Sequence, residues 1–384
     1  MRIGMMTDMY KPYVSGVTVY ISLTKLYLER LGHEVFVFTF GNPKHDEEEK
    51  NIVCSPGLPV WGRDMQFNIR YSRSAQKLLK TMDVVHVHHP FLSGAIAIRL
   101  CKSAGIPIVF TNHTRYDSYV QIYLPGFLAD AGDYFLRDFM PRFYNKIDLV
   151  LVPSASMKSV VAELGATEPI VVEPHGMELQ PFYTNVDPID RANFGFSPLD
   201  VVMVYVGRLG PEKNLFLLLN SFFEASQTCP EARLLLVGDG PLRHSLQSFV
   251  QQIGLTDKVA FAGQIEHDAL PAYYSAADFF VTASVTETFG LTVIEAMASG
   301  LPVLGIDSPG VGDNIVPGET GLLSLEDPQQ FAANMIRLTR EAGFRKQLGQ
   351  QARKASEHYD IENAVIRLLQ IYQNAKEIVR TRSG

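Results

Sequence analysis

Residues 286–300 read TETFGLTVIEAMASG, and the interpretation of the chain turns on them. Asp278-Phe-Phe-Val-Thr282 before them and Gly300-Leu-Pro-Val-Leu-Gly305 after them are short apolar runs bounded by polar or turn residues, which read as buried strands. Between the two, Leu291, Ile294, Ala298 and Leu301 recur at helical spacing, with Gly290 where the helix would begin. Strand, loop, helix and strand in succession specify a parallel α/β unit. A helix entered from such a loop presents unpaired N–H groups and a positive dipole end, so it attracts anions. Glu287 lies in the loop and Glu295 about a turn and a half into the helix, one on each side of that point. Carboxylates accept pairs of sugar or ribose hydroxyls. Two of them around a phosphate-binding turn suit a ligand with a phosphate between two polyols, and a nucleotide sugar is such a ligand. A solvated loop and an exposed helical face could carry the same two glutamates, so the rest of the chain must decide.

At 384 residues the chain is too long for one core and fits two domains of about 150–200 residues each. Cys54, Cys101 and Cys229 are odd in number and far apart, which suggests buried thiols in a reducing cytoplasm rather than a disulfide or zinc framework. Arg2-Ile-Gly-Met-Met-Thr7 reads as a strand with no signal-peptide lead, and no apolar run reaches the roughly 18 residues of a membrane span. The net charge of −7 is unevenly placed: residues 1–182 carry 18 basic and 18 acidic side chains, so the acidic excess lies in the second half. An acidic chain without a basic, aromatic-laced stripe is not expected to bind nucleic acid.

Strands and helices alternate from the start. The first strand leads into the loop Asp8-Met-Tyr-Lys-Pro-Tyr-Val-Ser-Gly16 and a helix with apolar positions Val19, Leu23, Leu26, Leu28 and Leu31; Glu34–Phe40 is the second strand. This is the βαβ pattern of a doubly wound sheet, whose ligands collect at the carboxyl ends of strands. The loop lacks G-x-G-x-x-G, which argues against a nicotinamide cofactor. Lys44–Lys50 is a charged loop, read as solvated. Residues 67–82 predict a helix with Arg70, Arg73, Lys77 and Lys80 on one face. That face is either solvated or attached to anionic lipid head groups at about 1 kcal/mol per basic residue. Asp83-Val-Val-His-Val-His-His89 is a strand and its exit; His86 and His88 share a face while His89 turns away, and no second ligand cluster follows, so a metal site is not expected. Ile106–Thr111 ends in Asn112-His113-Thr114, placing His113 just past a strand's carboxyl end. The aromatic run Tyr116, Tyr119, Tyr123 and Phe127, followed by a helix with Phe135, Phe139, Phe143 and Tyr144, reads as an apolar acceptor groove or as packing onto the sheet.

Pro181 to Pro198 is rich in Pro, Asn and Asp and reads as a linker. Val201–Val206 is a fresh strand, and Gly207-Arg208-Leu-Gly-Pro-Glu-Lys213-Asn214 follows it. Two cations on a glycine-containing strand exit suit a diphosphate, and they favour cleavage because negative charge grows on the leaving group. Arg233–Val237 leads to Gly238-Asp-Gly-Pro241, another glycine-rich exit, and Val259 to Ile265 is a further strand and loop through Gly263.

Taken together, Glu287-x7-Glu295 with Phe289-Gly290-Leu291, the Gly207–Asn214 loop, the Gly238–Pro241 turn, His113 and the Pro174–Glu178 segment resemble the signatures of family 4 retaining glycosyltransferases, in order and over almost the entire chain. The resemblance implies the GT-B fold: two Rossmann-like doubly wound domains facing a cleft. The expected division is 1–182 for the acceptor domain, 183–198 for the linker, 199–358 for the nucleotide-sugar domain, and 359–384 for a helix returning to the first domain. It implies that Arg208 and Lys213 hold the diphosphate and Glu295 the ribose. Glu287 with Phe289, Gly290 and Leu291 would hold the sugar and phosphate, while Gly238, Gly263 and Ile265 lie beside the phosphate and base. Gly16 would allow close backbone approach to the donor phosphates or acceptor, and His113 would point at the transferred sugar. Ser15 stands where the family has a first glycine, and His175 and Glu178 depart from its usual P-N-G-V-D. The pattern of His113, Thr114, Tyr116 and Tyr119 is similar to that of members that glycosylate diacylglycerol. A lipid acceptor, UDP-glucose as donor, retention of configuration and peripheral attachment to the inner face of the membrane follow as expectations. No D-x-D motif is present, so no essential metal or other cofactor is expected beyond the nucleotide sugar itself. A soluble sugar or alcohol acceptor, or a nucleotide-sugar 2-epimerase of the same fold, remains an alternative.

Overall fold

The structure is a computed structural model that describes residues 1–13, 15–41, 49–59, 66–116, 126–167, 169–184 and 186–383. Its first sheet comprises β1 (Arg2–Met6), β2 (Glu34–Phe40), β3 (Ile52–Ser55), β4 (Val84–Val87), β5 (Ile108–Thr111), β6 (Leu149–Val152) and β7 (Ile170–Val172), in the order β3-β2-β1-β4-β5-β6-β7. The second comprises β8 (Val201–Val206), β9 (Ala232–Val237), β10 (Val259–Gly263), β11 (Phe279–Thr282), β12 (Val303–Ile306) and β13 (Gly321–Ser324), in the order β10-β9-β8-β11-β12-β13. Neighbouring strands in both sheets pair in parallel; in the first, Ile3 lies in register with both Val35 and Val84. Strands such as Leu149–Val152 and Phe279–Thr282 are buried throughout, which is why they read as unbroken apolar runs rather than as alternations. In each sheet the order reverses once, between β1 and β4 and between β8 and β11. Loops leaving these neighbours diverge and leave a crevice at the carboxyl ends.

The chain divides into two compact units, Met1–Met177 together with the segment from Ile361 onward, and Glu178–Asp360. The final helix belongs to the first unit because Ile361, Val365, Leu368, Tyr372 and Ala375 pack into the core formed by Ile3, Met5, Val35 and Val84. Arg367–Glu173 at 2.9 Å and Lys376–Asp83 at 3.3 Å border that contact. Much of the segment read as a linker packs onto the second unit. Arg191 donates to the carbonyls of Ala276 at 2.8 Å and Asp200 at 2.9 Å, and pairs with Asp278 at 3.0 Å. One arginine with three acceptors outweighs the turn-forming composition around it.

Four helices of the first unit matter below. In α1 (Gly16–Arg30) the buried face is Thr18, Tyr20, Ile21, Thr24, Lys25, Tyr27 and Leu28, whereas Val19 and Leu26 are 47% and 42% exposed. Of the apolar positions Leu28 is buried, while Tyr20 and Tyr27 displace Val19 and Leu26 from the core because burying two tyrosines removes more apolar surface from water. Helix α2 (Arg73–Leu79) is shorter than the predicted 67–82: Ser72 accepts from the Ala75 amide and starts it there, leaving Arg70 outside. Helix α3 (Leu92–Cys101) is capped from a distance by Asp8, which accepts from the Ser93 amide at 2.7 Å. Helix α4 (Gly126–Tyr144) carries the aromatic series. In the second unit α5 (Leu291–Ala298) follows β11, and the final helix of the chain, α6 (Ile361–Ser383), completes the first unit. Among the described residues no helix is long and apolar enough to cross a membrane.

Candidate active site

The crevice of the second sheet is built from the exits of β8 and β11. After β8 the chain makes a tight turn over Pro211–Lys213 and leaves it through Asn214 at φ 53°. This geometry directs Lys213 to Glu287, with which it forms a short ion pair. Glu212 is buried and accepts from the Arg208 guanidinium at 3.0 Å, while its carbonyl accepts from the Thr286 hydroxyl at 3.2 Å. The two loops are thereby joined, with the Lys213–Glu287 contact on one side and the Arg208–Glu212 contact on the other. Burial pushes the Glu287 carboxyl up, but the charge and hydrogen bond of Lys213, with a hydrogen bond from Ser284, outweigh it and hold the group below its usual value.

Gly290 stands at the N-cap of α5 with φ 73°, and a Cβ there would lie 2.9 Å from the Gly310 carbonyl oxygen. Only glycine fits, and among the described residues no side chain caps the helix, so its positive end is of the kind that attracts an anion. Phe289 is buried edge-on against Tyr359 at 5.5 Å, so its backbone rather than its ring faces the crevice. The Asn314 amide donates to the carbonyls of Phe289 and Gly310, and the Tyr359 hydroxyl donates to Asn314 Oδ1 at 2.9 Å. These two supports were not anticipated; the only signal for Asn314 is its place after the glycine-rich exit of β12.

Glu295 is 5% exposed and already oriented. Tyr274 donates its hydroxyl to Oε2 at 2.9 Å, and His267 Nε2 lies 3.1 Å from Oε1. That hydrogen bond raises the imidazole's pKa above its usual value against the opposing effect of burial. Nothing in the sequence marks either partner, since both reach Glu295 across the fold. Beside them a cavity of about 340 Å³ is lined by Gly207, Arg208, Gly238, Asp239, Gln264 and Ile265. Gly238, at φ 132°, would place a Cβ 2.0 Å from the Gly207 carbonyl oxygen, and its amide donates to Gly263 at 2.8 Å. Bare backbone thus forms one wall of the cavity.

In the first unit, His113 follows β5 and meets a cluster of rings. Its Nε2 lies 3.0 Å from His88 Nδ1, and its ring centroid is 5.1 Å from that of Tyr20 and 5.0 Å from that of His175. His175, one of the departures from the family pattern, therefore joins His113. Below them His86 bonds the Tyr372 hydroxyl at 2.7 Å and the Thr111 hydroxyl at 2.6 Å. Desolvation depresses all four imidazoles, His86 and His175 to about 3, so the cluster is neutral at physiological pH. Gly16 is the first residue of α1, whose N-terminus is capped by Ser15. Tyr116 is half-buried with its ring edge-on to Phe91 at 5.5 Å. Tyr119, Tyr123 and the Phe127 side chain lie outside the described residues. Phe139 stacks on Phe91 at 5.4 Å and on the half-exposed Phe135 at 5.4 Å, so the aromatic series continues from Tyr116 to the surface. Arg70, Arg73, Lys77 and Lys80 are all exposed.

Comparison with known proteins agrees with this geometry. A family model described as Glycosyltransferase Family 4 matches residues 14–180, and one described as Glycosyl transferases group 1 matches residues 187–355. An alpha-monoglucosyldiacylglycerol synthase of Streptococcus pneumoniae is 32% identical over 80% of this chain and 72% of its own. One from Acholeplasma laidlawii is 29% identical over 79% of this chain and 80% of its own. The crystal structure of Anabaena HepE in complex with UDP superposes with a TM-score of 0.79 at 18% identity, covering 97% of this chain and 100% of that one.

Proposed function

The chain belongs to glycosyltransferase family 4 and is a hexosyltransferase, and from that premise we propose that it transfers glucose from UDP-glucose to diacylglycerol or a glycosyl-diacylglycerol with retention of configuration. In this reaction the bond from the sugar C1 to the diphosphate breaks and its electron pair leaves with the diphosphate. C1 then bonds to the acceptor hydroxyl oxygen, which releases its proton. Arg208, Lys213 and the N-terminus of α5 are assigned to the charge that grows on the leaving group, which the Lys213–Glu287 contact between their two loops supports. Glu295, held by Tyr274 and His267, is assigned to the ribose, and the cavity beside Ile265 to the base. His113 is assigned to the transferred sugar. The observation that carries the lipid acceptor is the 32% identity to a glucosyldiacylglycerol synthase. The aromatic series from Tyr116 to Phe135 and the exposed basic residues Arg70 to Lys80 support it, as a path for acyl chains and a docking face for an anionic membrane.

The test is nucleotide release from UDP-glucose and from GDP-mannose, each with and without anionic vesicles containing diacylglycerol. UDP release that requires diacylglycerol and yields a glycolipid is expected. Release indifferent to lipid would refute the acceptor and leave a soluble one, whereas release from GDP-mannose alone would refute the donor.

A further inference from the structure

The polar core beneath His113 is larger than the proposed reaction uses. His86, His88, His113 and His175 form a continuous set of rings, with centroids 4.2 Å apart for His86–His88, 5.2 Å for His88–His113 and 5.0 Å for His113–His175. Within it, His88 Nδ1 and His113 Nε2 are 3.0 Å apart, so one carries a hydrogen and the other accepts it. The other nitrogen of His88 decides which. His88 is fully buried, and its Nε2 has no hydrogen-bond partner among the described residues. A hydrogen on Nε2 would create an orphaned buried donor, which folded proteins avoid more strictly than an orphaned acceptor. The hydrogen therefore belongs on Nδ1.

We propose that His88 is the positioning residue for His113: its Nδ1–H donates to His113 Nε2 and fixes His113 as the Nδ1–H tautomer. With the Nε2 lone pair already committed, His113 has no lone pair left to act as a general base. Its remaining hydrogen then sits on Nδ1, and a donor of that kind suits a hydroxyl oxygen of the transferred sugar or a phosphate oxygen. The surroundings keep it neutral, since the rings of Tyr20 and His175 are packed against it and desolvation disfavours the cation. His86 anchors His88 from below through ring contact and is itself tied to Thr111 and Tyr372, so the direction of one N–H is set by residues of β4, β5 and α6. This rests on the assignment of His113 to the sugar.

The experiment begins with the unmodified full chain. Histidine ¹⁵N NMR, with the His113 signals identified by their loss in His113→Asn, is expected to show His113 protonated on Nδ1 and bare on Nε2. The reverse tautomer would overturn the proposal without any question of folding. Kinetics then separate positioning from packing. His88→Asn keeps an N–H near the Nδ1 position and is expected to hold kcat within about threefold. His88→Leu removes it and is expected to lower kcat about 10- to 100-fold, the range for a lost hydrogen bond to a buried group, with the donor KM unchanged. Equal loss in both variants would mean that His88 only fills space, and would also overturn it. Undiminished turnover in His113→Asn would instead sink the assignment of His113 and with it the positioning role, while the tautomer would still read as predicted.

Discussion

The ion pair between Lys213 and Glu287 permits a quantitative test of the site, because both side chains are mostly buried, at 20% and 25% exposed, and come from different loops. Unit charges about 3 Å apart attract by about 5 kcal/mol at an effective dielectric of about 20. Desolvation of both groups cancels most of this, leaving a net coupling of about 1–2 kcal/mol. Replacing either partner alone removes this coupling and leaves the desolvation cost of the other, at about 2 kcal/mol. Lys213→Met and Glu287→Gln should therefore each lower the Tm of the donor-free protein by about 4–8 °C, at about 2–4 °C per kcal/mol for a unit of this size. The double variant should lose about 2–3 kcal/mol rather than about 4. The pH dependence has a definite sign. The folded pKa of Glu287 lies below its ordinary 4.5, so the contribution is complete above that value and is lost as pH falls through the folded pKa. The gap between wild type and Glu287→Gln should hold from pH 7 down to the ordinary carboxylate range and narrow as pH falls below it. Additive losses in the double variant, or a gap that widens as the pH falls, would refute the reasoning.

Three further outcomes are expected. Gly238→Ala places a methyl 2.0 Å from the Gly207 carbonyl and should abolish nucleotide binding by calorimetry, with a stability loss of about 2 kcal/mol or more; unaltered affinity would show that the turn is not part of the site. His267→Gln should cost less than about 1 kcal/mol, since the imidazole is 59% exposed. Because its folded pKa is raised above 6.5, that cost should be full near pH 6 and vanish as pH rises through the folded value, and thermal melts at pH 6 and 9 check the sign. Tyr372→Phe removes the hydroxyl that His86 meets at 2.7 Å and should lower stability by about 1–3 kcal/mol, read from the Tm.

What could be read from the sequence, and what could not, follows from how far apart interacting residues lie in the chain. The strands were legible because a parallel strand buried on both faces needs only a local apolar run, as in Val201–Val206. The loop of Arg208 and Lys213 and the α5 turn were legible because strand exits and helix starts are local features with fixed residue demands, such as glycine at position 290. The face of α1 was misread because the choice between Leu26 and Tyr27 depends on what packs against the helix, and α6 supplies part of that surface from the far end of the chain. The partners of Glu295, Tyr274 and His267, lie 21 and 28 residues away, and no spacing rule connects them. The histidines show the difference within one motif. Their alternation along β4 puts His86 and His88 on one face, but a strand pattern is silent on what that face meets. The structure places Thr111 and Tyr372 beside His86 and His113 beside His88, partners drawn from the end of β5 and from α6. Sequence period fixes which side chains share a surface; only the assembled fold brings His88 Nδ1 within 3.0 Å of His113 Nε2, a contact between residues 25 apart in the chain.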